Sequence, residues 1–120
     1  MDIDLIIVGT ISPDYASPSV ACMVQGNIGA ENAFAYDLSA ACSGYIYALA
    51  TADKFIKSGC YKNAMVIGAE VMSKLIDWSD RNTCVLFGDG GGGAILTATT
   101  EKCGIIAEEL KARGSDGLSL

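Results

Sequence analysis

The chain has 120 residues and contains no histidine. Imidazole is the side chain most often used as a general base near neutral pH, and it is the commonest metal ligand, so neither role can be filled by histidine here. Five cysteines are present, but no two of them form a Cys-x-x-Cys pair. We therefore expect no metal site, and a cysteine nucleophile would have no histidine partner within this chain.

Basic runs, aromatic residues and long apolar segments are also scarce. The net charge is −6 and 8% of the residues are aromatic, which excludes the usual pattern of a nucleic-acid-binding surface. No apolar run is long enough to span a bilayer, and the first residues lack the basic flank and apolar core of a signal peptide. With an odd number of cysteines, these absences favour a cytoplasmic protein with reduced thiols, no nucleic-acid partner and no membrane partner.

Apolar and small residues make up most of the sequence: 51% are hydrophobic and 14 are glycine. This composition is typical of one tightly packed domain. Strands that alternate with helices indicate a layered α/β fold. Apolar runs and turn residues predict strands at 2–10, 34–38, 64–69, 94–99 and 104–110. One helix, capped by Ser17 or Ser19, is predicted to run to about Ile28, and a second to span 42–58. The remaining segments are predicted as a polar surface loop at 73–83, a strand or short helix at 84–87 and a glycine loop at 88–93. The first turns of the 42–58 helix are apolar all round, which predicts burial on every side.

One cysteine lies where a predicted strand meets a predicted helix, in the segment DLSAACSGY at residues 37–45. Small neighbours leave space around the sulfur of Cys42, and N–H groups at a helix start stabilise a thiolate or a developing oxyanion. These features predict a nucleophile. The alternative is that Cys42 is a small buried residue packing the strand against the helix. The remaining thiols have no comparable clearance and are interpreted as structural: Cys22, Cys60, Cys84 and Cys103.

The glycine-rich segment 88–93 has glycine at its first, third and sixth positions, as in a dinucleotide-binding loop. The residues that follow it predict a strand, whereas a phosphate cradle needs the start of a helix there. Close backbone packing, beneath an active site, is therefore the favoured interpretation.

The segment 80–83 places Arg81 in a polar region near Trp78. A solvated loop is one interpretation, because isolated arginines mostly lie on the surface. The functional alternative is a guanidinium that pairs with phosphate or stacks on a base. Met72 and Phe87 are candidates for the core or for the wall of an apolar acyl tunnel.

Several segments in the same order resemble β-ketoacyl-[acyl carrier protein] synthase III, a thiolase-fold condensing enzyme. The resemblance covers nearly the whole chain and is carried by residues 17–19, 37–44, 48–59, 65–70 and 80–90. It implies an α/β, thiolase-like layered fold. Residues 1–120 would form most of the N-terminal half-domain, and the C-terminal half-domain would be absent.

In that family the cysteine that matches Cys42 takes an acyl group from acyl-coenzyme A as a thioester. It then condenses this group with malonyl-acyl carrier protein and releases carbon dioxide, which starts fatty acid synthesis. Coenzyme A enters as a thioester substrate, so no cofactor is implied. The resemblance also implies substrate-binding roles for Arg81 with coenzyme A, for Met72 and Phe87 in the acyl pocket, and for Gly88 and Gly90 at the reaction chamber.

Family members are dimers, and the resemblance implies a homodimer formed through the strand at 33–38. The family usually has phenylalanine where this chain has Ser17, near the partner's acyl pocket. It also has Gly-Ala-Gly-Ala where this chain has the glycines of 90–93.

The histidine and asparagine that support decarboxylation in the family lie in a later half, so we expect this chain alone not to catalyse condensation. Two other functions remain open. One is a related acyl-cysteine enzyme, either a 3-hydroxy-3-methylglutaryl-coenzyme A synthase or a polyketide-type ketosynthase. The other is a truncated chain that only folds or assembles.

Overall fold

A four-stranded sheet forms the centre of the molecule in a computed structural model that describes residues 2–117. The ends of the predicted domain, residue 1 and residues 118–120, lie outside the described residues. The spatial order of the strands is β2-β1-β3-β4. Their bounds are β1 Leu5–Gly9, β2 Phe34–Leu38, β3 Asn63–Val71 and β4 Asp89–Thr97. Strand β1 pairs in parallel with β2 and β3, and β4 runs antiparallel to β3.

Two helices cover opposite faces of this sheet, α1 at Val20–Asn27 and α2 at Gly44–Lys57. Strand β1 is buried over its whole length, and its side chains alternate between the two faces. Leu5 and Ile7 belong to a cluster that contains alanines of α2, whereas the intervening apolar side chains pack with Ala21 of α1. Small alanines let each helix lie close to the strands. The result is a three-layered α/β arrangement, which confirms the layered fold predicted from the sequence.

Two predictions in the first third of the chain are confirmed, the bounds of β2 and the cap of α1. Strand β2 has the predicted bounds, and the Ser19 hydroxyl caps α1 by accepting a hydrogen bond from the Cys22 N–H at 3.1 Å. Helix α2 begins later than predicted, because residues 41–43 form a short 3-10 turn before it. The prediction of burial on every side of α2 is wrong: Ile46 is 53% exposed.

The glycine loop predicted at 88–93 is wrong, since β4 begins at Asp89 and contains the glycine run. Glycine has low strand propensity, but a full ladder of pairs with β3 holds these residues in extended form. Pairing with β3 also requires glycine at position 93, because a Cβ there would lie 2.7 Å from the Val66 carbonyl oxygen.

Three further predictions in the second half of the chain need correction. The strand predicted at 94–99 ends at Thr97 as the last part of β4. No strand occurs at 104–110 within the described residues, which are irregular there. Residues 84–87 form neither strand nor helix: 84–86 belong to hydrogen-bonded turns and Phe87 is irregular. The Cys84 N–H donates to the Asp80 carbonyl at 3.0 Å. The loop at 73–83 is polar and mostly exposed, as predicted, with Trp78 66% exposed.

Across residues 2–117, none of the helices combines the length and the apolar character that a membrane span requires.

Candidate active site

The carboxyl ends of β1, β2 and β3 meet at one edge of the sheet, where α/β proteins commonly bind ligands. Cys42 follows β2 at this edge and is exposed. It opens onto a cleft of about 520 Å³, which is lined by Gly9, Ala41, Cys42, Tyr45, Gly68, Ala69, Glu70, Gly90, Gly91, Gly92 and Gly93. Most of these residues carry little or no side chain, so a substrate can approach the sulfur closely.

The turn that carries Cys42 is tight. The Ser43 N–H donates to the Ala40 carbonyl at 3.0 Å, and Ala41 has a φ of 46°. A positive φ is costly for a residue other than glycine and is typically kept where function needs it. The turn leads directly into α2, so Cys42 lies beside a helix N-terminus. The partial positive charge there favours negative charge on a sulfur or on a substrate oxygen.

Asp37 anchors the strand that precedes this turn. Its carboxylate accepts hydrogen bonds from the N–H groups of Val20 and Ala21, both at 2.8 Å. These are orphan donors of the first turn of α1, and an acidic group is favourable at that end of a helix. The end of β2 is thus fixed to α1, and the acidic residue of the cysteine motif has a structural role.

Two glycines that the sequence analysis did not single out let α2 reach the sheet. A Cβ on Gly9 would lie 2.7 Å from the Gly44 carbonyl carbon and 3.0 Å from the Tyr45 nitrogen. A Cβ on Gly68 would lie 3.0 Å from the Tyr45 Cβ. The sequence signal for both is a glycine in or at the end of an apolar strand, which often marks a close backbone approach.

The structure brings two of the predicted site residues together, Cys42 and Gly90. The others do not line this cleft. Met72 begins a short 3-10 turn after β3 and is partly buried, Phe87 is 44% exposed, and Arg81 and Gly88 are exposed. Their roles in substrate binding stay predictions.

Asp89 connects the Met72 turn to the start of β4. Its carboxylate accepts hydrogen bonds from the Ser73 hydroxyl at 2.7 Å and the Ser73 N–H at 2.8 Å. The hydroxyl bond, followed by the N–H bond and the charge of Lys74, lowers the pKa of Asp89 from its usual value. This tether keeps two predicted substrate-binding segments, around Met72 and around Gly88, next to each other.

Comparison with known proteins identifies this arrangement. A family model described as 3-Oxoacyl-[acyl-carrier-protein (ACP)] synthase III matches residues 36–114, which include Cys42 and the glycine strand. The beta-ketoacyl-[acyl-carrier-protein] synthase III of Clostridium perfringens is 55% identical over 119 residues, which are 99% of this chain and 37% of that protein. The protein of the same name from Streptococcus thermophilus is 59% identical over 116 residues, 97% of this chain and 36% of that relative.

Solved structures of related synthases have the same fold as this chain. The 3-oxoacyl-[acyl-carrier-protein] synthase III of Aquifex aeolicus VF5 superposes with a TM-score of 0.91 and 53% identity over 94% of this chain and 37% of its own. A priming beta-ketosynthase from the R1128 polyketide pathway has a TM-score of 0.79 and 37% identity over 82% of this chain and 29% of its own.

The chain thus spans a little over a third of the length of these relatives. Its α/β architecture is the thiolase-like one of the solved synthases. The match of the family model over most of the sequence leads to one conclusion: this chain belongs to the 3-oxoacyl-[acyl-carrier-protein] synthase III family.

Proposed function

We propose that the full-length protein containing this chain joins an acyl group from acyl-coenzyme A to malonyl-acyl carrier protein, with loss of carbon dioxide, at the start of fatty acid synthesis. The observation that carries the proposal is the position of Cys42, which opens onto a cleft at the carboxyl ends of three parallel strands. In this proposal the chain supplies the nucleophile and the glycine-lined approach to it.

The first half-reaction is acyl transfer. The Cys42 thiol loses its proton to solvent, and the thiolate attacks the thioester carbonyl of acyl-coenzyme A. The carbon–sulfur bond to coenzyme A breaks, and coenzyme A leaves as a thiolate that takes up a proton from solvent. The helix start beside Cys42 supports the oxyanion of the tetrahedral intermediate. The product is an acyl thioester on Cys42.

The second half-reaction is condensation. Malonyl-acyl carrier protein loses carbon dioxide, the resulting carbanion attacks the Cys42 thioester carbonyl, and the Cys42 thiolate is released. Stabilisation of that carbanion needs hydrogen-bond donors, and histidine cannot supply them from this chain. We therefore propose that condensation needs groups outside these 120 residues and that the isolated chain does not perform it.

Incubation of the full-length enzyme with acetyl-coenzyme A tests the proposal. Peptide mass spectrometry should find one acetyl group on the Cys42 peptide, and addition of malonyl-acyl carrier protein should remove it with release of carbon dioxide. Acetylation of another cysteine, with Cys42 unmodified, would overturn the assignment.

A priming ketosynthase of polyketide synthesis is a second candidate function, because a solved enzyme of that description shares the fold at 37% identity. Both candidates use the same acyl-cysteine. Assays with carrier proteins of the two pathways, purified separately, distinguish them by which malonyl carrier discharges the acyl-enzyme faster.

Arg81 is proposed to bind a phosphate of coenzyme A. Its guanidinium has a fixed charge and cannot act as a base, so its contribution should appear in binding. Replacing Arg81 with alanine in the full-length enzyme should raise KM for acetyl-coenzyme A about tenfold and leave kcat within about twofold of wild type, as expected when uniform binding is lost. The matched control is Arg113→Ala, which removes an exposed arginine that pairs with Asp116. An equal fall in kcat with unchanged KM would contradict a binding role.

A homodimer through β2 is the proposed assembly. Strand β2 is an edge of the sheet. The Phe34 N–H donates to the Asp4 carbonyl at 2.9 Å, and the Leu38 carbonyl accepts from the Thr10 N–H at 3.1 Å. Since backbone groups alternate sides along a strand, those of Ala35 point away from β1. On this outward side the Ala35 carbonyl accepts a long hydrogen bond from the Cys22 thiol at 3.5 Å. A second copy of β2 would pair with the backbone of this edge and give a closed, isologous interface.

Replacing Ala35 with proline tests the dimer, because it deletes an outward N–H and leaves the ladder to β1 in place. Sedimentation should show a dimeric wild type and at least a tenfold weaker association for the variant, on the order of 1.4 kcal/mol or more. Ala35→Ser keeps the N–H and should dimerise like wild type. A monomeric wild type, or a proline variant that associates as well as wild type, would refute the interface.

A further inference from the structure

We propose that Glu70 is a positioning residue, which fixes the geometry of the Cys42 turn through the segment that follows β1. The inference rests on the acyl-transfer function proposed above. Glu70 lies near the end of β3, is partly buried and lines the same cleft as Cys42. None of the motifs recognised in the sequence assigns it a role in the reaction.

The carboxylate of Glu70 accepts hydrogen bonds from three donor groups, which belong to three consecutive residues. The Ile11 N–H donates to its two oxygens at 2.9 and 3.1 Å, the Thr10 hydroxyl donates at 3.2 Å, and the Ser12 hydroxyl donates as well. A carboxylate offers only acceptors, so it matches a set composed entirely of donors. Hydrogen bonds to an ionised acceptor are stronger than neutral ones, so Glu70 fixes residues 10–12 firmly to the end of β3.

Both hydroxyls in this network are held in one orientation. The Thr10 Oγ1 also accepts from the Ser12 N–H at 3.2 Å, and the Ser12 Oγ accepts from the Val71 N–H at 2.7 Å. Thr10 and Ser12 are each only 7% exposed. Breaking the hydrogen bonds of either hydroxyl would leave a buried polar group without a partner, so this part of the network is stiff.

Thr10, which Glu70 holds, and the adjacent Gly9 contact the residues at the two ends of the Cys42 turn. The Thr10 N–H donates to the Leu38 carbonyl at the end of β2. Gly9 packs directly against Gly44 at the start of α2. A shift of residues 9–12 would therefore move both ends of the turn that presents the thiol. Because both Glu70 oxygens already accept hydrogen bonds within the protein, its contribution is to geometry and not to proton transfer.

Glu70→Gln in the full-length enzyme tests this role with little change in shape. The amide replaces one acceptor by a donor, so the network with residues 10–12 is broken in part. We expect kcat for acetyl transfer to fall about tenfold with KM for acetyl-coenzyme A within about twofold, since small misplacements of a reacting group are costly. Asp14→Asn is the control: Asp14 follows the same segment but pairs with Lys74 at the surface, and its loss should leave kcat unchanged.

A second measurement separates positioning from loss of fold and from failure of the proposed function. Limiting iodoacetamide labels Cys42 and the exposed Cys60 of the same molecules, and mass spectrometry gives the ratio of the two rates below the melting transition of each variant. We expect the ratio to change about threefold or more in Glu70→Gln and in Ser12→Ala, with a non-additive effect in the double variant because both belong to one network.

The outcomes are distinguishable. An altered ratio without any acetylation of wild-type Cys42 would refute the proposed acyl transfer and support the positioning role. A ratio equal to wild type in Glu70→Gln overturns the positioning role, whatever the acylation result. A rise in KM with unchanged kcat would also overturn it, because Glu70 would then contact the substrate directly.

Discussion

Replacement of Cys42 with alanine is expected to abolish acyl-enzyme formation in the full-length enzyme, with a loss of roughly 10⁴-fold or more, as typical for a missing covalent nucleophile. The reason is chemical: alanine has no atom that can accept the acyl group. Because Cys42 is exposed and small, the substitution should leave the fold nearly unchanged. The measurement is transfer of a radiolabelled acetyl group from acetyl-coenzyme A to protein.

Three other thiols provide matched controls, since Cys22, Cys60 and Cys103 are also exposed. Exposure alone therefore does not set Cys42 apart, and its position on the cleft does. Single alanine variants at the three control positions should retain full acylation. If Cys42→Ala still carried the label and one of the controls lost it, the nucleophile would be assigned to the wrong thiol.

Replacement of Gly9 with alanine is expected to give the second large effect, this time on stability. The added methyl group would lie 2.7 Å from the Gly44 carbonyl carbon and 2.9 Å from its oxygen. Both are backbone atoms, so no side chain can rotate away. The start of α2 must shift, and we expect the free energy of unfolding to fall by about 1–3 kcal/mol, as in other overpacked cores.

Urea denaturation followed by circular dichroism measures this change. The control is Gly26→Ala inside α1, where a Cβ meets nothing within 4 Å. This variant should be more stable than wild type by about 0.5–1 kcal/mol, because alanine loses less backbone freedom in a helix. Equal midpoints for Gly9→Ala and wild type would show that α2 does not depend on the close contact.

The sequence predicted the elements whose stability is decided locally. Each of these signals occupies only a few neighbouring positions: the apolar run of β1, the Ser19 cap of α1 and the small residues before Cys42. The glycine strand was missed, because Asp89–Thr97 is held in extended form by pairing with β3, and strand pairing depends on residues distant in sequence.

The strand predicted at 104–110 failed for a related reason. The segment does contain the apolar residues typical of a strand, but a strand also needs a neighbouring strand with which to form backbone hydrogen bonds. Residues of this segment instead lie over the outer face of α2, where Ile105 and Leu110 share a cavity with Ile46 and where Glu108 pairs with Lys54. In the same way, the sequence marks Gly9 as a place of close backbone approach but does not identify Gly44 as its partner, and the hydrogen bonds of Glu70 also depend on the tertiary arrangement.

The position of β1 in the sheet has a consequence for biosynthesis. Within this segment β1 leaves the ribosome first, yet it lies between β2 and β3, and its Leu5 pairs with Ala64. The apolar run from Leu5 to Val8 therefore stays without its full set of neighbours until β3 has been translated. Such a nascent stretch is exposed to misassociation.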